Sequence, residues 1–164
     1  MEFLRSWPAK DISGLSETLG VDRTKLYGGI APNYGPPPPY EAVWGTNQDT
    51  NTTILHNLLQ FYNKSGLDLT AELKKRPDDI TTELEFQRQL ILLEEESWRN
   101  DTIEIKQELI HQQFAFLTNH LLAWIPRFID EALPQAQTDF YRGHLIMLRG
   151  LLADEEDYLK SVVN

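Results

Sequence analysis

Apolar residues recur at three- and four-residue intervals over most of the chain beyond residue 50, the spacing of one face of a helix. Thr52 to Lys64 carries Ile54, Leu55, Leu58, Leu59 and Tyr62 in this register, and Gly66 is placed to stop it. Pro77-Asp78-Asp79 opens a second helix running to about Trp98, its acidic start matched to the positive end of the helix dipole. Asp101 with Glu104 has the form of a capping box for a third helix, which runs to about Leu122. Trp124 to Leu133 reads as a separate short helix, with Pro126 tolerable in its first turn. Thr138 or Asp139 caps a last helix through Tyr158 or beyond. Ahead of all these, Met1 to Gly29 is weakly helical. Asp22 can cap a short helix carrying Leu26 and Tyr27, which Gly28-Gly29 ends. No strand alternation persists and no internal repeat shows, so the pattern predicts a single all-α domain, a helical bundle over residues 1–164.

One stretch breaks the helical pattern. Ile30 to Asp49 contains Pro32 and then Pro36-Pro37-Pro38-Pro39. Consecutive prolines remove backbone donors and push each preceding residue to extended geometry. The segment is therefore expected to be a non-helical, polyproline-type crossing of roughly 3 Å per residue. Tyr34, Tyr40 and Trp44 interleave with it. Aromatics at that density favour packing on the body over service as a flexible linker or as a ligand for a proline-binding module.

Helical projection separates polar residues that fall on apolar faces from those that do not. In the helix after Asp79, Ile80, Leu84, Phe86, Leu90, Ile91, Leu93 and Trp98 share one arc. Glu83, Gln87 and Glu94 fall inside that arc, and Glu85, Glu95 and Glu96 outside it. In the helix after Asp101, the arc is Ile103, Ile105, Leu109, Ile110, Phe114, Phe116, Leu117 and Leu121. Gln113 and His120 lie within it and His111 does not. A carboxylate on an apolar face must be paired, capped or set in a groove, because burying it alone is costly. A histidine there is either a hydrogen-bonded core residue or a ligand group. Glu108-Leu109-Ile110-His111 has the Glu-x-x-His form of di-iron bundles, but such sites need a second copy, and this pair points outward.

Charge narrows the partners. Fifteen Lys and Arg against 25 Asp and Glu give a formal charge of −10, which argues against nucleic acid and against an anionic membrane surface. A partner carrying positive charge fits. There is no cysteine, hence no disulfide, thiolate nucleophile or zinc–thiolate site. No apolar run approaches the roughly 20 residues needed to span a bilayer. Met1 to Lys10 lacks a signal peptide's apolar core, so a cytoplasmic protein is expected. The three sequons at Asn51, Asn63 and Asn100 are then chance matches. No nucleophile elbow, phosphate loop or dinucleotide fingerprint occurs, so neither an enzyme nor a cofactor is implied.

Three landmarks in order resemble the TorD/DmsD/NarJ family. The first is Leu26-Tyr27-Gly28-Gly29 followed by Pro36-Pro37-Pro38-Pro39-Tyr40-Glu41-Ala42-Val43-Trp44. The second is Pro77-Asp78-Asp79-Ile80 with Glu83-Leu84-Glu85-Phe86. The third is His120-Leu121-Leu122-Ala123-Trp124-Ile125-Pro126-Arg127-Phe128, with Phe140-Tyr141 at the expected distance. The family commonly has histidine where this chain has Asp79. Its members also carry one or two helices ahead of the segment that Met1 to Trp7 resembles, so the resemblance admits a monomer or a helix-exchanged dimer.

The resemblance implies an all-helical cytosolic chaperone for the catalytic subunit of a molybdenum-cofactor oxidoreductase. Such a chaperone often binds the partner's twin-arginine signal peptide and delays export until the cofactor is inserted. The alternative within the group is a NarJ-like scaffold for a cytosolic subunit with no export role. Carried onto this chain, the expected peptide-binding residues are Tyr40, Glu41, Trp44, Asp78, Asp79, Glu83, Phe86, His120 and Trp124. The acids would receive the arginines and the aromatics would wall a groove for the apolar stretch.

Overall fold

The computed structural model describes residues 12–29, 34–45, 51–66, 70, 76–100 and 103–163. Those residues form an all-α bundle: α1 (Ile12–Tyr27), a single turn α2 (Glu41–Trp44), α3 (Asn51–Lys64), α4 (Ile80–Arg99), α5 (Ile103–Phe116), α6 (Leu122–Ala132) and α7 (Asp139–Val163). Among the described residues there is no strand, only one isolated bridge between Tyr40 and Asp79.

The core is built where the projection places it. Phe86 of α4 and Phe116 of α5 pack tilted at 4.6 Å between ring centroids, and Tyr62 of α3 lies 4.6 Å from Phe86. Trp124, Ile125, Phe128 and Ile129 of α6 are fully buried behind them. Leu145, Leu148, Leu152 and Leu159 give α7 its buried face. Glu83, Gln87 and Glu94 are buried, and Gln113 and His120 with them. Glu95, Glu96, Glu108 and His111 are exposed.

The structure departs from the sequence expectation at several places. α1 is a full 16 residues, and Asp22 sits inside it instead of capping it. The Asp22 carboxylate reaches the start of α7, where it accepts from the backbone N–H of Gln137 (3.1 Å) and Thr138 (2.8 Å) and from the Thr138 hydroxyl (2.6 Å). Thr138 in turn accepts from the Tyr141 N–H, the expected cap of the last helix. The non-helical crossing also ends earlier than expected. Once the prolines stop, backbone donors return, and Glu41–Trp44 closes one helical turn with Gly45 N–H on the Glu41 carbonyl at 2.8 Å. Residues 30–33 and 46–49 of that crossing lie outside the described residues, as does Asp101 of the expected capping box.

The third and fourth expected helices are one. A π turn, Leu117–Leu121, joins α5 to α6, with the Leu122 N–H bonded to the Leu117 carbonyl five residues back. Pro126 thus falls within a continuous helical run. Inserting one residue per π turn rephases the helix; here His120 and Trp124 both face the core. Finally, the apolar arcs are wider than the faces actually covered. Trp98 is 60% exposed and Ile103 is 59% exposed, and Ile91 and Ile105 are exposed too. They stand at the ends of α4 and α5 or at the margin of the arc, where Ser97 and Lys106 are buried instead.

Two glycines fit the crossing against α1. Gly29 adopts φ +54°, which ends α1. Gly35 passes so close to α1 that an added Cβ would lie 1.9 Å from the Lys25 carbonyl oxygen.

Candidate functional site

The crossing and the start of α4 are laced together by backbone. Glu41 N–H donates to the Asp78 carbonyl at 2.9 Å, and Ile80 N–H donates to the Pro39 carbonyl at 3.1 Å. Pro36 and Pro39 are buried, and the Trp44 indole donates to the Pro38 carbonyl at 2.9 Å while its ring packs edge-on against Phe128. The expected packing of the Pro-rich segment on the body is therefore present in its described part. Asp79 caps α4, accepting from the Thr81 N–H at 2.8 Å.

This lacing brings a group of acids together beneath the surface. His120 Nδ1 lies 3.1 Å from both carboxylate oxygens of Glu41. Glu83, wholly buried, accepts from the Trp124 indole at 3.0 Å through Oε2. Its Oε1 has no hydrogen-bond partner, and the Glu41 and Asp78 carboxylates stand near enough to act on it electrostatically. Burial first, and then the negative charge of Glu41, push Glu83 well above the usual carboxylate range; the Trp124 bond works the other way and Asp78 adds to the rise. The Tyr62 hydroxyl donates to the Pro77 carbonyl at 2.8 Å, and burial followed by the charge of Glu83 raises it as well.

Two clefts border this region. One, of about 410 Å³, is lined by Glu41, Asn57, Phe61, Lys64, Asn119 and His120, among others. The other, of about 360 Å³, includes Asp79, Pro39, Leu84, Tyr27, Tyr141 and Arg23. In the second, Tyr27 and Tyr141 pack at 5.9 Å, and burial, then the nearby Tyr141 and Asp22, push the Tyr27 hydroxyl up to about 12. The crossing thus contributes Glu41 to one cleft and Pro39 to the other.

Of the nine residues expected to form the site, Glu41, Asp78, Glu83, His120 and Trp124 are buried together around the acid cluster. Phe86 belongs to the aromatic core, 4.6 Å from both Tyr62 and Phe116. Trp124 has no exposed surface, so it forms part of the core and not a groove wall. Tyr40 and Trp44 are half-buried, and the Arg76 guanidinium lies 4.7 Å over the Tyr40 ring. Asp79 is half-buried at a cleft margin. Sequence reasoning did not single out Tyr27, Tyr141, Leu148 or Asn119 as lining residues.

The family model described as nitrate reductase delta subunit matches residues 13–130, and the chain belongs to that family, the NarJ/TorD family. Two proteins named "Chaperone protein TorD", from Vibrio vulnificus strains YJ016 and CMCP6, are each 25% identical to it over 122 residues. Those alignments cover 74% of this chain and 55% of each relative, so the chain spans about half the length of the curated relatives it matches. No solved structure gives a significant match. Among the described residues no helix is long and apolar enough to cross a membrane.

Proposed function

We propose that this chain is a maturation chaperone for a redox-enzyme subunit, and that it receives the twin-arginine signal peptide of a molybdenum-cofactor oxidoreductase at the clefts beside the Pro39–Glu41 crossing. The observation that carries the reading is the bridge between Tyr40 and Asp79, which sets carboxylates at both clefts: Glu41 in one and Asp79 in the other. Arginine pairs with carboxylates through bidentate, charge-assisted bonds. The second cleft also offers Tyr27, Ile80, Leu84, Tyr141 and Leu148 as an apolar wall beside its acid, the combination that an arginine pair followed by an apolar stretch requires. Arg76 over the Tyr40 ring is an internal example of a guanidinium accepted on this surface. Membership of the family and the name of the TorD relatives support the chaperone role.

Calorimetric titration with a twin-arginine signal peptide tests it. Asp79→Asn, which keeps an acceptor for the Thr81 N–H, should weaken binding by about tenfold or more, since a charge-assisted pair contributes roughly 1.5–3 kcal/mol. Raising the salt concentration should weaken it further. Unchanged affinity in Asp79→Asn would sink the assignment of this acid.

The description of the matched family, nitrate reductase delta subunit, favours a second reading: a scaffold for assembling a subunit that carries no export leader. Capture of the bound subunit from the native host and sequencing of its N-terminus separates the two.

A further inference from the structure

Well along α4 from the acid cluster, a smaller cleft opens between α4, α5 and α7. Its volume is about 250 Å³, and it is lined by Ile91, Glu94, Glu95, Trp98, Gln113, Glu155 and Tyr158. Glu83 and Glu94 are 11 positions apart, about 16 Å along a helix at 1.5 Å per residue, so this is a separate place on the molecule. Drug-sized ligands occupy roughly 300–1,000 Å³, so the space suits a head group or a single side chain.

Three carboxylates converge there. Glu94 is 7% exposed; it accepts from the Trp98 indole at 3.0 Å and from Gln113 Nε2 at 2.9 Å. The bond to Glu94 fixes the orientation of the Gln113 amide, because only its nitrogen can donate. That leaves Gln113 Oε1, in a residue with no exposed surface, as an acceptor with no donor. Buried acceptors are rarely left so. Glu155 is half-buried on α7; burial, and then the charge of Glu94, hold its carboxyl above the usual range, against the opposing Gln87 amide. Burial, Glu94 and Glu155 raise Tyr158 in the same sense. Two cations stand nearby. Arg99 is paired with Glu95 at 2.5 Å, and the Lys106 ammonium lies 4.2 Å over the Trp98 ring. Neither lines the cleft. The walls are aromatic and accessible: Trp98 is 60% exposed and Tyr158 46%. Acceptors in excess of donors, negative charge in excess of positive, and exposed aromatic faces are together what a hydrogen-bonding organic cation requires.

We infer that this cleft is a receptor for one guanidinium or alkylammonium group, held by Glu94, Glu155 and Gln113 Oε1 between Trp98 and Tyr158. It goes beyond the signal-peptide reading and does not depend on it. The cation would be a free small molecule or a basic side chain of a protein partner, and the same chemistry serves both. Glu155 and Tyr158 lie beyond residue 130, where the family match ends, so part of the site is built by a segment outside that pattern.

The test uses the full chain and the indole N–H resonance of Trp98, assigned through Trp98→Phe. Argininamide and the blocked peptide acetyl-Gly-Arg-Gly-amide are titrated separately, with norleucinamide acetylated at its amine as the uncharged control. Saturable movement of the Trp98 resonance is expected with both guanidinium probes and not with the control. Glu155→Gln should weaken binding by about fivefold, the scale of one partly exposed charge pair. Tyr158→Ala should weaken it as well, at a position 46% exposed. Asp79→Asn should leave it unchanged, which keeps this outcome apart from that of the signal-peptide experiment. Argininamide binding as tightly as the peptide identifies a free cation, and a tighter peptide identifies a partner's side chain. A non-saturating response, an equal response to the uncharged control, or indifference to both Glu155→Gln and Tyr158→Ala would overturn the inference.

Discussion

The indole of Trp124 and the carboxyl of Glu83 are hydrogen-bonded at 3.0 Å, 41 residues apart in sequence, and neither has any surface open to solvent. An acid so placed is held protonated well above its ordinary range, chiefly by burial and then by Glu41. In the unfolded chain it ionises at its ordinary value. Between those two values the folded state carries the extra proton, so stability falls as pH rises through that window and is fully present below it. Glu83→Gln keeps an acceptor for the indole and cannot ionise. Thermal melts from pH 4.5 upward should therefore show a flatter decline for Glu83→Gln than for the parent chain, and a higher midpoint at neutral pH. An unchanged slope would mean that Glu83 is ionised in the fold.

Asp22 has the opposite sign. Burial works to raise its carboxyl, but the hydrogen bonds from Thr138 and from the Gln137 and Thr138 backbone, with Lys25, outweigh burial and hold it below its ordinary value. Its contribution is present above the ordinary aspartate range and is lost as pH falls through the folded value. Asp22→Ala should cost about 2–3 kcal/mol at neutral pH, the scale of charge-assisted bonds at a helix start. Urea denaturation measures it, and a loss below about 0.5 kcal/mol would contradict the role given to this carboxylate.

Glu41 and His120 should prove coupled. Removing the imidazole leaves a buried carboxylate without its partner, which typically costs roughly 3–5 kcal/mol. His120→Phe alone should be strongly destabilising, whereas Glu41→Gln with His120→Phe should recover a large part of the loss. A double-mutant cycle in denaturant gives the coupling directly. Additive effects would show that the pair at 3.1 Å contributes little.

Glycine replacements should divide sharply by place. At Gly35 an alanine Cβ would fall 1.9 Å from the Lys25 carbonyl oxygen, so the crossing must move off α1. Gly35→Ala should cost more than about 2 kcal/mol. Gly150 lies within α7, and nothing stands within 4 Å of the place an alanine methyl would take, so Gly150→Ala should stabilise by about 0.5–1 kcal/mol. Melting temperatures of the two variants should move in opposite directions.

Helical periodicity made the bundle legible, because every long helix has at least one face against the core. It also marked Glu83, Gln87, Glu94, Gln113 and His120 as polar groups turned inward, since phase alone determines direction. It could not show what they meet. His120 and Glu41 are 79 residues apart, and Asp22 and Thr138 are 116 apart. Asp22 has the residue type of a helix cap, and it does serve one, but of a helix that begins 117 positions later. Nor does projection give the extent of burial. Trp98 shares the arc of Leu90 yet lies in the last turns of α4, beyond the covered part. The join between α5 and α6 was hidden for a different reason: a π turn leaves no mark in composition, and Pro126 suggested a start where the chain runs on. For the candidate site, the motifs pointed to the right neighbourhood but not to which members reach solvent.

The Asp22 tie bears on where this protein can be cut. The recognised family pattern stops at residue 130, before α7 begins. Yet a carboxylate within that pattern has its donors at Gln137 and Thr138, and the Lys25 ammonium donates to the Gln135 carbonyl at 3.2 Å. A fragment trimmed at the edge of the pattern would strand Asp22 and strip the leucines of α7 from the core. Residues of the matched stretch thus depend for their partners on chain that lies past its end.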